Sequence, residues 1–287
     1  MLTLSKTRSV LNILSPKLNS RKTLKIGRTT WSYLDNGDGD ELWLAFHGYG
    51  QEAEIMLHFM RTLRPDARIL SFDLPLHGET ELQNSVLTIS DLAELASTII
   101  RENGSQKCSL AGFSLGGKIA LKMAELAPGK IDQLLLIAPD GLKVNPLYWL
   151  VTNTSLGREL FELVIRFPQP LFFLSKILSK LGLMNKKVDA FVSAQLSTRT
   201  KRERVLKTWI MFKRLTPNLK DVRNKIWRYH INPMLVFGTR DRVIHPKLVK
   251  KLSGNNCTTA QVIMLHSGHN LTTKEHALEL RNQLNFK

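Results

Sequence analysis

Between residues 112 and 116 the chain reads G-F-S-L-G, directly after the apolar run C-S-L-A. A serine with glycines two positions away on either side suits a sharp strand-to-helix turn, because bare backbone at those positions lets strand and helix approach closely. Such a turn lifts the Ser114 hydroxyl out of the sheet and sets it at a helix N-terminus. Backbone N–H groups there favour a developing negative charge. The chemistry implied is nucleophilic attack on an acyl carbonyl. For the pentapeptide alone, a glycine-rich connection with serine as a helix cap is the plainer alternative.

A serine hydroxyl needs a base to take its proton, and the base needs an acid to orient it. The run M-L-V-F-G-T-R-D (234–241) puts Asp241 just past an apolar strand pattern, and Q-V-I-M-L-H-S-G-H-N (261–270) puts His269 just past another. The order Ser114, Asp241, His269 is the one expected when the nucleophile turn lies on a parallel sheet. Asp140 in A-P-D-G also follows a strand pattern and competes for the acid role, and His266 is a second candidate base. Acyl transfer further requires two N–H donors aimed at the oxyanion. The residue after the nucleophile, Leu115, supplies one. The turn H-G-Y-G (47–50) supplies the other through Tyr49, with Gly48 and Gly50 allowing a close bend.

The elements that must position these groups alternate along the chain. Short apolar, β-branched runs predict strands at 29–34, 42–46, 67–72, 108–111, 133–138, 234–237 and 261–265. D-N-G-D-G-D (35–40) reads as a hairpin-like connection between the first two. Helical periodicity falls at 90–102, with Thr88 and Asp91 able to cap its start, and at 115–127, 246–252 and 271–284. Buried strands alternating with helices predict an α/β fold around a mostly parallel sheet, with sites beyond the carboxyl ends of the strands.

Taken together, H-G-Y-G, D-L-P-L-H-G-E-T, G-F-S-L-G-G, F-G-T-R-D and S-G-H-N resemble the α/β-hydrolase superfamily, in particular its serine carboxylesterase branch. The resemblance covers about residues 21–141 and 231–287. Leu76 departs from it, since the family often has glycine there. The resemblance implies a helical cap inserted at 142–230, whose runs at 160–167, 171–181 and 202–215 read as amphipathic helices. It also implies a serine hydrolase of carboxylic esters or thioesters, with a long apolar acyl pocket and no cofactor or metal. Amide, lactone or C–C bond hydrolysis by the same triad, and an inactive binding protein on the same scaffold, are the alternatives.

Charge bears on partners. Lysine plus arginine exceed aspartate plus glutamate by 41 − 24 = 17, and residues 142–230 carry 18 − 5 = 13 of that excess. Arg199, Lys201, Arg202, Arg204 and Lys207 flank the apolar face of one expected helix, so their heads can point outward together. By default such a surface is a solvated basic face with no role; it also suits an anionic head group or carrier, or peripheral membrane contact through basic amphipathic helices. No recognition motif accompanies the charge to suggest nucleic acid. No window approaches the roughly 18 apolar residues of a spanning helix. The cysteines Cys108 and Cys257 form no disulfide framework, as suits a cytoplasmic protein. Residues 1–20 form a basic, acid-free extension with features of a targeting segment. Oligomeric state is left open.

Overall fold

A computed structural model describes residues 20–83, 86–180, 194–253, 260–284 and 286. Residues 1–19 of the expected extension, Leu181 at the end of one expected cap helix, and Cys257 lie outside the described residues.

The strands are β1 (Ser20–Ile26), β2 (Thr29–Asp35), β3 (Leu42–Phe46), β4 (Arg68–Phe72), β5 (Glu81–Leu82), β6 (Cys108–Phe113), β7 (Ile131–Ile137), β8 (Asn232–Gly238) and β9 (Gln261–Leu265). They form one sheet in the order β1-β2-β4-β3-β6-β7-β8-β9, with β5 on β2. From β4 to β9 every pairing is parallel, while β2 is antiparallel to β1, β4 and β5. The expected α/β class is therefore what forms.

Alternation within the strands builds two cores. In β3, Leu44 and Phe46 face a cluster shared with α2 (Ile89–Glu102) and α3 (Leu115–Leu126). Trp43 and Ala45 face the opposite cluster, with α1 (Ala53–Leu63) and α9 (Lys274–Arg281). Leu44 and Phe46 are fully buried, each worth about 2–3 kcal/mol of transfer free energy. The α2 cap forms in both directions: Asp91 N–H donates to Thr88 Oγ1 (3.2 Å), and Thr88 N–H donates to Asp91 Oδ2 (2.9 Å). The helix α1, the strand β1 and the short β5 have no counterpart in the sequence-based expectation.

One expectation is corrected. Residues 35–40 do not close a hairpin, because β4 lies between β2 and β3. The crossover through α1 returns the chain beside β2, where Arg68 pairs with Asp35 (2.8 Å) and Phe72 lies against Tyr33 (5.1 Å between centroids). Asn36 then bonds both ways to this strand, accepting from Ile69 N–H at 2.7 Å.

Between β7 and β8 run α4 (Pro146–Asn153), α5 (Ser155–Arg166), α6 (Gln169–Lys180), α7 (Arg199–Met211) and α8 (Leu219–Arg228). Val151, Phe161, Ile165, Leu196, Val205 and Leu206 make a third cluster, separate from the sheet's cores. In contrast, Val222 and Ile226 of α8 belong to the sheet's own core. Arg199, Lys201, Arg204 and Lys207 are solvent-exposed as expected, but Arg202 is not. Its guanidinium is buried, donating to Ile165 O (3.0 and 3.1 Å) and Leu196 O (2.8 Å). Carbonyls at the end of α5 are the negative pole of that helix and take the place of a carboxylate partner.

Candidate active site

The turn between β6 and α3 is as sharp as its sequence requires. Ser114 caps α3 at φ 49° and ψ −113°, a conformation that costs a non-glycine residue on the order of 1–3 kcal/mol and persists only when surroundings impose it. The imposing contacts are visible. Ser114 N–H donates to Ile137 O of β7 (3.0 Å), and Ser114 O accepts from Gly117 N–H (3.0 Å) and Asp140 N–H (2.8 Å). A Cβ on Gly116 would meet the carbonyls of Phe46 and His47, and one on Gly112 would meet the backbone of Gly116. The two glycines therefore let β3, β6 and α3 close around the serine.

Asp241 and His269 arrive from neighbouring strand ends. The loops after β8 and β9 are tied by Thr239 N–H to Leu265 O (2.8 Å) and Arg240 N–H to Ser267 O (2.9 Å). Asp241 is 1% exposed. Its Oδ1 accepts from Val243 N–H (2.8 Å) and Ile244 N–H (2.9 Å), leaving Oδ2 for His269 Nδ1 at 2.7 Å. A carboxylate so placed assigns the proton to Nδ1, so Nε2 is the acceptor facing Ser114 Oγ at 3.1 Å. Phe113 stacks obliquely on the imidazole, 5.1 Å between ring centroids. An imidazole bridging a buried carboxylate and a hydroxyl can take the hydroxyl's proton and hold the resulting charge.

The two competitors are placed elsewhere. Asp140 touches the serine only through its backbone, and its Oδ1 accepts from Gly141 N–H (2.7 Å). His266 is exposed, with its Nδ1 3.4 Å from Thr239 Oγ1.

Tyr49 lies on the loop after β3 and Leu115 opens α3 directly after Ser114, and among the described residues neither N–H donates to a protein acceptor. Gly48 N–H donates to Gln51 Oε1 (3.0 Å), and Gln51 reaches Thr272 (3.4 Å), which fixes the loop. His47 was given no role by its sequence position, yet it pins this loop from beneath. Its Nε2 accepts from Leu74 N–H (3.0 Å), so Nδ1 carries the proton and donates to Gly48 O (2.7 Å). Burial pushes its pKa down to about 4, chiefly by desolvation. His77 lies edge-on to Tyr49 (5.3 Å) and is likewise pushed down by burial. Leu76 beside it adopts φ 70°, the left-handed region that glycine occupies freely.

Lys118, one turn along α3 from Ser114, is buried. Its Nζ donates to Tyr148 Oη of α4 (3.1 Å), sits 4.7 Å from that ring's centroid, and is 4.0 Å from Asp140 Oδ2. Tyr148 in turn meets Trp209 of α7 edge-on (5.5 Å). Of these helices only α3 and α7 were expected from apolar spacing, and nothing local announces the pairing, which joins residues 30 positions apart.

Residues 43–282 match the Alpha/beta hydrolase family. A dihydrolipoyllysine-residue acetyltransferase component of an acetoin cleaving system from Pseudomonas putida is 35% identical over 109 residues, covering 37% of this chain and 29% of that protein. A pimeloyl-[acyl-carrier protein] methyl ester esterase from Pseudoalteromonas atlantica is 31% identical over 148 residues, 48% of this chain and 55% of that protein. The alignments thus span between less than a third and about half of these relatives' lengths. Among solved structures, a thermophilic esterase from Thermogutta terrifontis superposes with a TM-score of 0.62 at 16% identity, over 92% of this chain and 96% of that one. At that identity the likeness speaks for the fold alone.

Proposed function

The chain belongs to the alpha/beta hydrolase family, and from that premise we propose that it hydrolyses a carboxylic ester or thioester through an acyl-enzyme on Ser114. The observation that carries this is the position of His269, 3.1 Å from Ser114 Oγ and 2.7 Å from Asp241 Oδ2. Ser114 Oγ attacks the acyl carbonyl as its proton passes to His269 Nε2. Asp241 holds the ring in the reactive tautomer and stabilises the imidazolium. The N–H groups of Tyr49 and Leu115 hold the oxyanion of the tetrahedral intermediate. His269 then returns the proton to the departing alcohol or thiol. Water, activated by the same base, frees the acid.

The helices between β7 and β8 serve as the cap and set the acyl pocket. Tyr49, Phe161 and Trp209 all pack at the third cluster, which favours an apolar acyl chain. The curated esterase relatives act on an acyl-carrier methyl ester, and this cap's positive charge suits an acyl group with an anionic head group or carrier.

A fluorophosphonate reagent should label Ser114 in the wild-type protein and not in Ser114→Ala. A series of p-nitrophenyl esters should show turnover rising with acyl length, and Ser114→Ala should lower it on the order of 10⁴-fold or more with the fold intact. Absence of labelling and of turnover on every ester would leave a binding protein on the same scaffold.

A further inference from the structure

More than half of the exposed large apolar side chains among the described residues fall between Val144 and Ile177, about an eighth of the chain. That concentration is not the scatter of single apolar residues normal for a protein surface. The helix α5 explains its geometry. Gly157, Phe161 and Ile165 face inward, the last two in the third cluster. Leu156, Leu160, Leu163 and Phe167 recur at spacings of 4, 3 and 4 and are 49–64% exposed. At 3.6 residues per turn these four fall within an arc of roughly 60°. The helix therefore has two apolar faces, and among the described residues only the inner one is packed. Glu159, Glu162 and Arg166 lie together along one flank of the outer stripe. Trp149 on the adjoining α4 is 54% exposed.

We propose that this outer face of the cap docks on the surface of an anionic phospholipid bilayer, with Leu156, Leu160, Leu163 and Phe167 inserted among the acyl chains and Trp149 at the headgroup level. Charge selects this occupant over a second copy of the chain. Residues 142–230 carry 18 − 5 = +13, so two caps brought face to face would repel, whereas a negative bilayer attracts them. Exposed Lys201 and Lys207 on α7 contribute to that field, whereas Arg199 is paired with Glu203 at 2.9 Å. A narrow convex stripe on one helix is also the shape that lies in an interface plane. It needs no span, and no described helix is long and apolar enough to make one.

The placement has a functional consequence. Phe161 and Ile165 on the inner side of α5 share their cluster with Tyr49, so docking sets the bilayer about one helix diameter, ~10 Å, from the oxyanion loop. Acyl lipids leaving the membrane would meet the pocket at once. The docking itself needs no turnover, so it stands or falls apart from the hydrolase reading.

The test is flotation of the full chain with vesicles of equal parts phosphatidylcholine and phosphatidylglycerol. Wild type should rise with these vesicles, and much less with phosphatidylcholine alone or at high salt. Leu160→Ser with Phe167→Ser should lower the partition at least tenfold. Its melting temperature and its kcat on a short soluble ester should stay at wild-type values, because both side chains face away from the site. Failure of wild type to float, or equal flotation of the double variant, overturns the proposal. So does a wild-type dimer that the double variant dissolves, or an acidic carrier protein whose binding is lost in the variant while flotation is not.

Discussion

The backbone amide of Asp140 donates to the carbonyl of Ser114 at 2.8 Å, while the Asp140 carboxylate turns away to Gly141. Asp140 thus touches the proposed nucleophile by main chain and not by side chain. Changing Asp140 to asparagine keeps the amide, and Asn can still accept from Gly141, so kcat/KM should stay within a few-fold of wild type. Asp241→Asn presents an amide to His269 and favours the wrong tautomer, which should lower kcat on the order of 10⁴-fold. Steady-state kinetics on one p-nitrophenyl ester decide it. Equal losses in the two variants would remove Asp241 from the proposed triad.

The glycines make different demands. A methyl on Gly116 meets the carbonyls of Phe46 and His47, which β3 cannot shift without disturbing its pairing with β6. Gly116→Ala should therefore cost about 3 kcal/mol or more, or yield no folded protein. Gly50 at φ 75° has open space around its Cβ position, so Gly50→Ala pays only for the backbone conformation, about 1–2 kcal/mol. Urea denaturation of the pair separates the two costs. Similar stabilities would mean that the close approach at Gly116 is not what its glycine serves.

Much of this site was legible in the sequence because it lies within short motifs. Glycines around Ser114, and a polar residue just past each of two strands, are local signals that survive without knowledge of the fold. Strand order is not local. Nothing in 35–40 announces that β4, arriving after α1, will insert beside β2 and pair Arg68 with Asp35. Arg202 shows the same limit on a smaller scale. It is one of five basic residues in a run that looks uniformly solvated, and it is buried because the α5 carbonyl of Ile165 happens to end beside it. The inner and outer faces of α5 were likewise indistinguishable, since both are apolar at helical spacing.

Lys118 joins the helix that follows Ser114 to the proposed cap through Tyr148. Lys118→Met keeps most of the volume and removes both the hydrogen bond and the cation over the ring. A tether of about 1 kcal/mol would appear as a several-fold rise in KM for a long-chain ester, with kcat on an acetyl ester unchanged. Tyr148→Phe keeps the cation–π contact and should show a smaller rise. Kinetics across acyl lengths check this. An equal effect on both esters would place the role of Lys118 in the turn at Ser114 rather than in the proposed cap.

His47 ties stability to pH. In the folded protein its imidazole is buried and neutral, accepting from Leu74 and donating to Gly48, with its pKa pushed down from 6.5 to about 4. The unfolded chain binds the proton near pH 6.5, so below that pH the unfolded state carries more protons than the folded one. Stability contributed by the neutral ring is therefore complete above pH 6.5, and it is lost progressively as pH falls to about 4. The total loss is about 3 kcal/mol. His77, also pushed down by burial, adds a change of the same sign. His47→Gln lowers stability at neutral pH by removing a fitted donor–acceptor pair, yet it should flatten the slope below pH 6.5, since nothing at 47 then titrates. Urea midpoints measured across that interval give both slopes. Parallel slopes for wild type and His47→Gln would show that the ring beneath the oxyanion loop is not the buried neutral group that holds it.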